Sequence, residues 1–370
     1  MNIMYVTTIG TTMGFFKDYI HELIQEGHRV DIACNESGGV VPECYREWGC
    51  KVFPISTSRS PFSPGNLKAV QQIKALAAEG KYDIVHCHTP IAAACTRLAC
   101  RTLRKKGLKV IYTAHGFHFY KGAPLQNWLI FYTIEKLCAR WTDVLVTINR
   151  EDYTRALEKM AAKKVEYVPG VGINIAKFAD NPVDTVAKRA EIGVPEESIL
   201  MLSVGELNAN KNHEVILRAM AKRDLPLVHY AIAGKGDKDA YLLELARELK
   251  LEDRVHLLGY RTDVADLYKA ADLFAFPSFR EGLPVSVMEA MAAGNAVVCS
   301  NIRGNADMIV DGEGGFLVEP SSAEQFAEAI AKIVLDEELR ERMKNINRQN
   351  VEAFSTAKIN QQMKRIYAVE

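Results

Sequence analysis

The sequence predicts an α/β protein built from two doubly wound parallel sheets with helices on their faces. Three observations carry this. Short apolar runs alternate with amphipathic stretches through both halves of the chain, the order that builds parallel strands through right-handed crossovers. Glycine-bearing turns follow several of the runs, as at Gly10 and Gly14 and in the Gly-Lys-Gly turn at Gly234. Between the halves lies a proline- and glycine-bearing stretch, residues 169–181, followed by a polar, strand-free stretch over 180–188. Such composition marks a hinge between domains.

Length and composition agree with this division. A chain of 370 residues fits two domains of ordinary size. Hydrophobic content of 48% and charged content of 25% are ordinary for a globular protein. Lys plus Arg (46) equals Asp plus Glu (46), which argues against nucleic acid as the principal partner. The start, MNIMYVTTIG, has no basic leader and too short an apolar run for a signal peptide. No stretch reaches eighteen apolar residues. Eight cysteines occur without a C-x-x-C pair, several inside strand-like runs such as Cys87 and Cys299. They read as reduced core thiols in a cytoplasmic protein.

In chain order, residues 3–7 form the first strand, and Gly10 and Gly14 turn into a helix over 15–25. The turn could let backbone approach a phosphate. It lacks the G-x-G-x-x-G spacing, and close packing of helix on strand accounts for the glycines about as well. Strands follow at 30–34 and 51–55, a rim loop at 56–65, a helix at 67–78 and a strand at 82–86 ending in HCHTP. His86 and His88 then share one face and Cys87 takes the other. A metal would need a further ligand, and none is adjacent in sequence, so structural or substrate hydrogen bonds are the reading. A helix over 92–106 carries Arg97, Arg101, Arg104, Lys105 and Lys106. Cations suit a helix C-terminus; the same cluster could also touch anionic lipid or a lipid diphosphate. The strand at 109–113 runs into AHGFHF and puts His115 at the C-terminal edge of the sheet, where open α/β folds place ligands. A largely buried helix over 128–140 and strands at 144–148 and 164–168 complete this half.

The second half repeats the alternation, with strands at 199–204, 228–233, 255–258, 273–276 and 296–300, the last clear one. Helices at 323–335, 338–352 and 356–367 follow with no strand among them, the last expected to pack on the first domain. The stretch FPSFREGLPVSVMEAM, residues 276–291, holds Glu281 and Glu289 eight positions apart. Pro284 suits a first helical position, so Glu281 lies on the entry loop and Glu289 more than one turn inside the helix. The N–H groups of Gly282 and Leu283, with the helix dipole, offer an anion site suited to a diphosphate. Carboxylates at either end can accept hydrogen bonds from sugar or ribose hydroxyls. Taken alone, the two glutamates are better read as one capping acid and one surface acid, because such spacings recur by chance. Asp237 and Asp239 form a D-x-D, but it stands at a helix start, where Asp239 reads as a cap. No metal is expected.

Taken with LSVGELNANKNH, IAGKG, RVHLLGY, LYKAADLFAFPS, the Gly10–Gly14 turn and TAHG, the pair Glu281 and Glu289 resembles the retaining glycosyltransferases of family four, which have the GT-B fold. The resemblance covers essentially the whole chain and is nearest to enzymes of bacterial capsule, exopolysaccharide or lipopolysaccharide assembly. It implies two Rossmann-like domains facing each other across a cleft, an acceptor-side domain over 1–175 and a donor-binding domain over 176–354, with the helix at 355–370 returning to the first. Glu289 would hold the ribose and Glu281 the transferred sugar, with the amides of Gly282 and Leu283 beside it. Lys211 would neutralise the diphosphate, the backbone near Tyr260 would hold the base, most often uracil, His115 would bond the donor sugar, and Gly14 would sit near the leaving phosphate. One position departs from the family pattern: Glu206 stands where the family usually has arginine, with Lys235 as the candidate to compensate.

The resemblance thus implies a metal-independent, cofactor-free transfer of sugar from a nucleotide-diphosphate donor to a lipid-linked or oligosaccharide acceptor. The chain would be cytoplasmic, with the five cations near Arg101 holding it weakly to the inner membrane face. A nucleotide-sugar 2-epimerase of the same fold would need more carboxylates in the first half. A non-catalytic nucleotide- or glycan-binding protein would have Glu206 as its only support.

Overall fold

The computed structural model describes residues 1–180, 182–223, 225 and 227–368. The end of the expected hinge at Asn181, and the last two residues of the expected C-terminal helix, lie outside the described residues. The chain forms two compact units: Met1–Val171 together with the chain from Thr356 on, and Gly172–Ser355. The division falls at Val171, four residues before the expected boundary.

The first unit is built on one parallel sheet. Its strands are β1 (Asn2–Ile9), β2 (Arg29–Asn35), β3 (Val52–Pro54), β4 (Ile84–His88), β5 (Lys109–Ala114), β6 (Val144–Thr147) and β7 (Lys164–Tyr167), in the order β3-β2-β1-β4-β5-β6-β7. The runs are apolar on both faces because both are covered, as parallel sheets require. Period-two alternation sorts β1 cleanly. Met4 and Val6 join a core with Ile73, Ala92 and Tyr112. Ile3 and Tyr5 join another with Ile20, Ile359, Met363 and Tyr367. The closing helix Thr356–Ala368 therefore supplies part of this unit's core.

The second unit holds β8 (Ile199–Val204), β9 (Val228–Ala233), β10 (Val255–Gly259), β11 (Leu273–Phe276), β12 (Ala296–Ser300) and β13 (Gly315–Val318), ordered β10-β9-β8-β11-β12-β13. Two doubly wound parallel sheets are thus present, as the alternation predicts. β13 corrects the expectation that β12 is the last strand. It pairs in parallel with β12 over Val297–Gly315 to Ser300–Val318, where the glycines of DGEGG hide its short apolar run. The polar stretch after the hinge is also not featureless: Asp184 caps a helix over Thr185–Glu191 by accepting from the Ala187 amide.

The basic helix needs a larger correction. It ends at Cys100, and a tight turn over Leu103–Lys106 follows before Gly107 at φ 98°. Arg97 is 0% exposed. It pairs with Glu135 at 2.8 Å and its guanidinium lies 4.2 Å from the centre of the Tyr112 ring. Arg104 grips Asp143 through Nε (2.8 Å) and Nη2 (2.6 Å). Arg101 lies over the Trp141 ring at 5.7 Å. The five cations expected to touch the membrane therefore do not form one surface: Arg97 is buried against Glu135 and Arg104 is held by the half-buried Asp143, while Arg101, Lys105 and Lys106 are exposed.

Candidate functional site

In an open α/β sheet the ligand crevice forms where the winding reverses, at the C-terminal strand ends. In the second unit that point lies between β8 and β11. The loop after β8 brings Lys211 and the loop after β11 brings Glu281, and Lys211 Nζ stands 2.8 Å from Glu281 Oε1. The same ammonium lies 4.7 Å from the centre of the Phe276 ring. The two loops are laced together. The Phe279 amide donates to Asn210 O (2.8 Å), Asn210 Nδ2 to Arg280 O (3.0 Å), and Asn212 Nδ2 to Pro277 O (3.1 Å) and Pro320 O (2.8 Å). Asn212 adopts the left-handed conformation at φ 53°, which Asn tolerates better than most residues.

The Glu281 loop leads into the helix Val285–Ala293, with Pro284 as its N-cap. The helix thus starts one residue later than expected, and the first-turn amides that lack an intrahelical acceptor begin at Val285. Glu289 is the fifth helical residue. The Tyr268 hydroxyl donates to its Oε2 at 3.0 Å. Burial pushes the Glu289 carboxyl above its usual range, against the opposing pull of the Tyr268 hydroxyl and of Lys177. Arg303 Nε donates to the Glu281 carbonyl (3.1 Å), and a Cβ on Gly304 would fall 2.4 Å from the Gly282 carbonyl, so Gly304 must be glycine for the loop to seat. Tyr268, Phe276 and Arg303 are not legible as site residues from their own local sequence.

The remaining predicted positions are mostly open. Glu206 is exposed and accepts from Asn208 Nδ2 at 2.8 Å. Lys235 is exposed at the β9 end, and Tyr260, past β10, is 72% exposed. Gly234 lets these loops close up, since a Cβ there would lie 1.8 Å from the Gly205 carbonyl. Asp239 does not cap in the expected sense. It is the first residue of the helix Asp239–Glu248, Lys238 holds the cap position, and Asp239 accepts from the Gly236 amide at 3.0 Å. It therefore braces the glycine turn. Among the described residues no group of three His, Cys, Asp or Glu could hold a metal.

In the first unit the winding reverses between β1 and β4. The tight turn Gly10–Phe16 follows β1. Gly10 is demanded by packing, because a Cβ would lie 2.4 Å from the Gly39 carbonyl, whereas a Cβ on Gly14 would meet nothing within 4 Å. After β4, Thr89 takes φ 63°, a strained value for a β-branched residue, and is pinned by Thr8, whose amide (3.1 Å) and hydroxyl (2.6 Å) meet Thr89 Oγ1. His115, half-buried at the end of β5, has Nε2 3.0 Å from Nδ1 of the buried His88. Burial lowers His115 to about 4, so the ring is neutral at pH 7. His86 bonds Thr113 Oγ1 (2.8 Å) and Tyr367 OH (2.6 Å), a structural role.

Two parallel α/β units, one with a lysine–carboxylate pair at its switch point and a second carboxylate inside the next helix, define the class of the GT-B glycosyltransferases. Comparison with known proteins agrees. Residues 3–149 match the model of the "Glycosyl transferase 4-like" family, and residues 184–350 that of "Glycosyl transferases group 1". The chain is 37% identical to the "Putative glycosyltransferase EpsD" of Bacillus subtilis, over 85% of this chain and 84% of that one. It is 27% identical to the Escherichia coli UDP-Gal:alpha-D-GlcNAc-diphosphoundecaprenol alpha-1,3-galactosyltransferase over 93% and 90% of the two chains. Anabaena HepE, solved in complex with UDP, shares the fold at TM-score 0.81 with 20% identity, over 99% of each chain. The chain belongs to the family-four-type glycosyltransferases of GT-B fold.

Proposed function

We propose that the protein transfers a sugar from a uridine-diphosphate donor to a hydroxyl of a lipid-linked or polysaccharide-precursor acceptor, retaining the anomeric configuration and needing no metal. The observation that carries this is the Lys211–Glu281 pair at the switch point of the second sheet, with Glu289, raised by burial, inside the helix that the Glu281 loop enters. An ammonium suits a departing diphosphate, and preorganised positive charge is the usual means of stabilising one. In this reading Glu289 accepts from ribose hydroxyls and Glu281 from sugar hydroxyls, with the amides of Gly282 and Leu283 at the sugar end. The backbone near Tyr260 then holds the base, Lys235 lies on the phosphate side, and Gly14, exposed with nothing within 4 Å of where a Cβ would stand, sits near the leaving phosphate. Glu206 is exposed and accepts from Asn208 Nδ2 at 2.8 Å, and Lys235 is the group proposed to offset its charge.

The donor class is supported by the names of relatives: the E. coli galactosyltransferase takes UDP-Gal and a diphosphoundecaprenol-linked acceptor, and HepE has been solved with UDP-glucose. That relative's name gives an alpha-1,3 linkage for its product. Among the described residues no helix is long and apolar enough to cross a membrane. The test is UDP release from a panel of UDP-sugars with and without lipid-diphosphate-linked acceptors, repeated in EDTA. Release that needs an acceptor and survives EDTA is expected. Conversion of the sugar without release, or dependence on magnesium or manganese, overturns the reading.

A further inference from the structure

We propose that His88 is a positioning residue that fixes the tautomer of His115, so that His115 presents an N–H at Nδ1 to the donor sugar. The proposal rests on the reading that His115 contacts that sugar. The geometry is contained within the first unit. His88 is 1% exposed. Its ring stacks on Tyr5 (centroids 5.5 Å apart, planes at 16°) and packs on Phe16 (4.3 Å), so it cannot swing away. Its Nδ1 lies 3.0 Å from His115 Nε2. Its Nε2 is buried with no hydrogen-bond partner among the described residues.

A neutral imidazole carries one N–H and one bare nitrogen. Burial holds His88 well below its ordinary value, as it does His115, so each ring has one proton at pH 7. Were the His88 proton on Nε2, a buried donor would have no acceptor, the rarer and costlier defect. The proton therefore belongs on Nδ1, where His115 Nε2 accepts it. That nitrogen must then be bare, and the proton of His115 sits on Nδ1. His86 does not compete, because both its nitrogens already have partners in Thr113 and Tyr367. The consequence is a donor at His115 Nδ1 for a sugar oxygen. The opposite tautomer would leave that position able only to accept. The pair of histidines in HCHTP thus divides its work: His86 ties β4 to the closing helix and His88 sets the proton of His115.

Long-range 15N–1H spectra of the full-length protein with labelled histidine rings test the assignment directly. Protons on Nδ1 of both His88 and His115 are expected at neutral pH without ligand; a His115 proton on Nε2 overturns the proposal. Kinetics test its consequence. His88→Asn puts an amide N–H near the place of Nδ1, while His88→Leu fills the space without a donor. His88→Leu is expected to lower kcat by about tenfold or more, the scale of one hydrogen bond, with donor KM little changed, and His88→Asn to recover most of that loss. Equal losses in the two variants overturn the positioning role. Should His88→Leu fail to fold, the wild-type spectra still decide. If His115→Ala leaves transfer intact while both rings show the Nδ1 proton, the tautomer assignment stands and the sugar-contact reading of His115 is what fails.

Discussion

Glu289 is held where it weakens the fold. Burial raises its carboxyl, with Tyr268 and Lys177 pulling the other way. A folded-state value above the unfolded one favours folding below the ordinary glutamate range, and that advantage is lost as pH rises through the raised value. Above the raised value the ionised carboxylate is therefore a cost of the unliganded protein, one that ligand hydroxyls would offset. Glu289→Gln keeps an acceptor for Tyr268 and removes the charge. It should raise the melting temperature without ligand and weaken UDP by about 1.5–3 kcal/mol, a charge-assisted hydrogen bond, or roughly ten- to a hundredfold in Kd. Melting curves beside calorimetric titration check both signs; a lower melting temperature with unchanged UDP affinity would make Glu289 structural. Glu281 gives the opposite pattern. It holds Lys211 at 2.8 Å and so competes with any phosphate for that ammonium. Glu281→Gln should leave UDP affinity equal or higher while transfer falls about tenfold or more. A parallel loss of UDP affinity would show that Glu281 helps Lys211 bind rather than competing for it.

The helix Pro90–Cys100 shows what an element's own sequence cannot report. Helical spacing and the cations after Cys100 make Arg97 look solvated. Its partners, Tyr112 on β5 and Glu135 on the helix Thr133–Ala139, are remote in sequence, so only the fold reveals that it is buried. Removing one partner of a buried pair strands the other charge, which costs about 3–5 kcal/mol, whereas replacing both with apolar side chains is often neutral. Arg97→Met should therefore destabilise strongly, and Arg97→Met with Glu135→Leu should recover most of the loss. Denaturant unfolding of the two variants decides; additive losses would mean the pair is not coupled. The same limit explains other differences. β13 was hidden because its pairing with β12, not its four-residue run, makes it a strand. Tyr268 and Arg303 reach the Glu289 and Glu281 segments by tertiary approach. The strand–helix alternation was legible because each strand of a covered parallel sheet announces itself as an apolar run. The Glu281–Glu289 spacing was legible because one short loop and helix carry both groups.

At the scale of the whole chain, the two units keep separate cores, and the chain passes between them twice, at Val171 and at Ser355. The second passage lets the last residues complete the first unit. Tyr367 meets Tyr5 OH (2.7 Å) and His86 Nδ1 (2.6 Å), Lys109 Nζ donates to the Ile366 carbonyl (2.9 Å), and Lys364 pairs with Glu22 and Glu26. Ile359, Met363 and Ile366 are buried in the core around Ile3 and Tyr5. Ending the chain at Ser355 would uncover that face and leave His86 Nδ1 without its hydroxyl. Each large apolar side chain returned to water costs about 1.5–3 kcal/mol, so loss of several exceeds much of a domain's usual margin. The residues proposed to hold UDP, Lys211 and Glu289, lie in the other unit. The truncated chain should therefore lose the first unit's melting transition, or show it far lower, while the second unit still melts cooperatively. UDP should raise that surviving transition, since a ligand stabilises only the folded state that binds it. Calorimetric scans of the full and shortened chains with and without UDP make the comparison. A surviving transition that UDP no longer moves would mean that groups outside residues 172–355 are required for the nucleotide, and the assignment of Lys211 and Glu289 as sufficient anchors would be wrong.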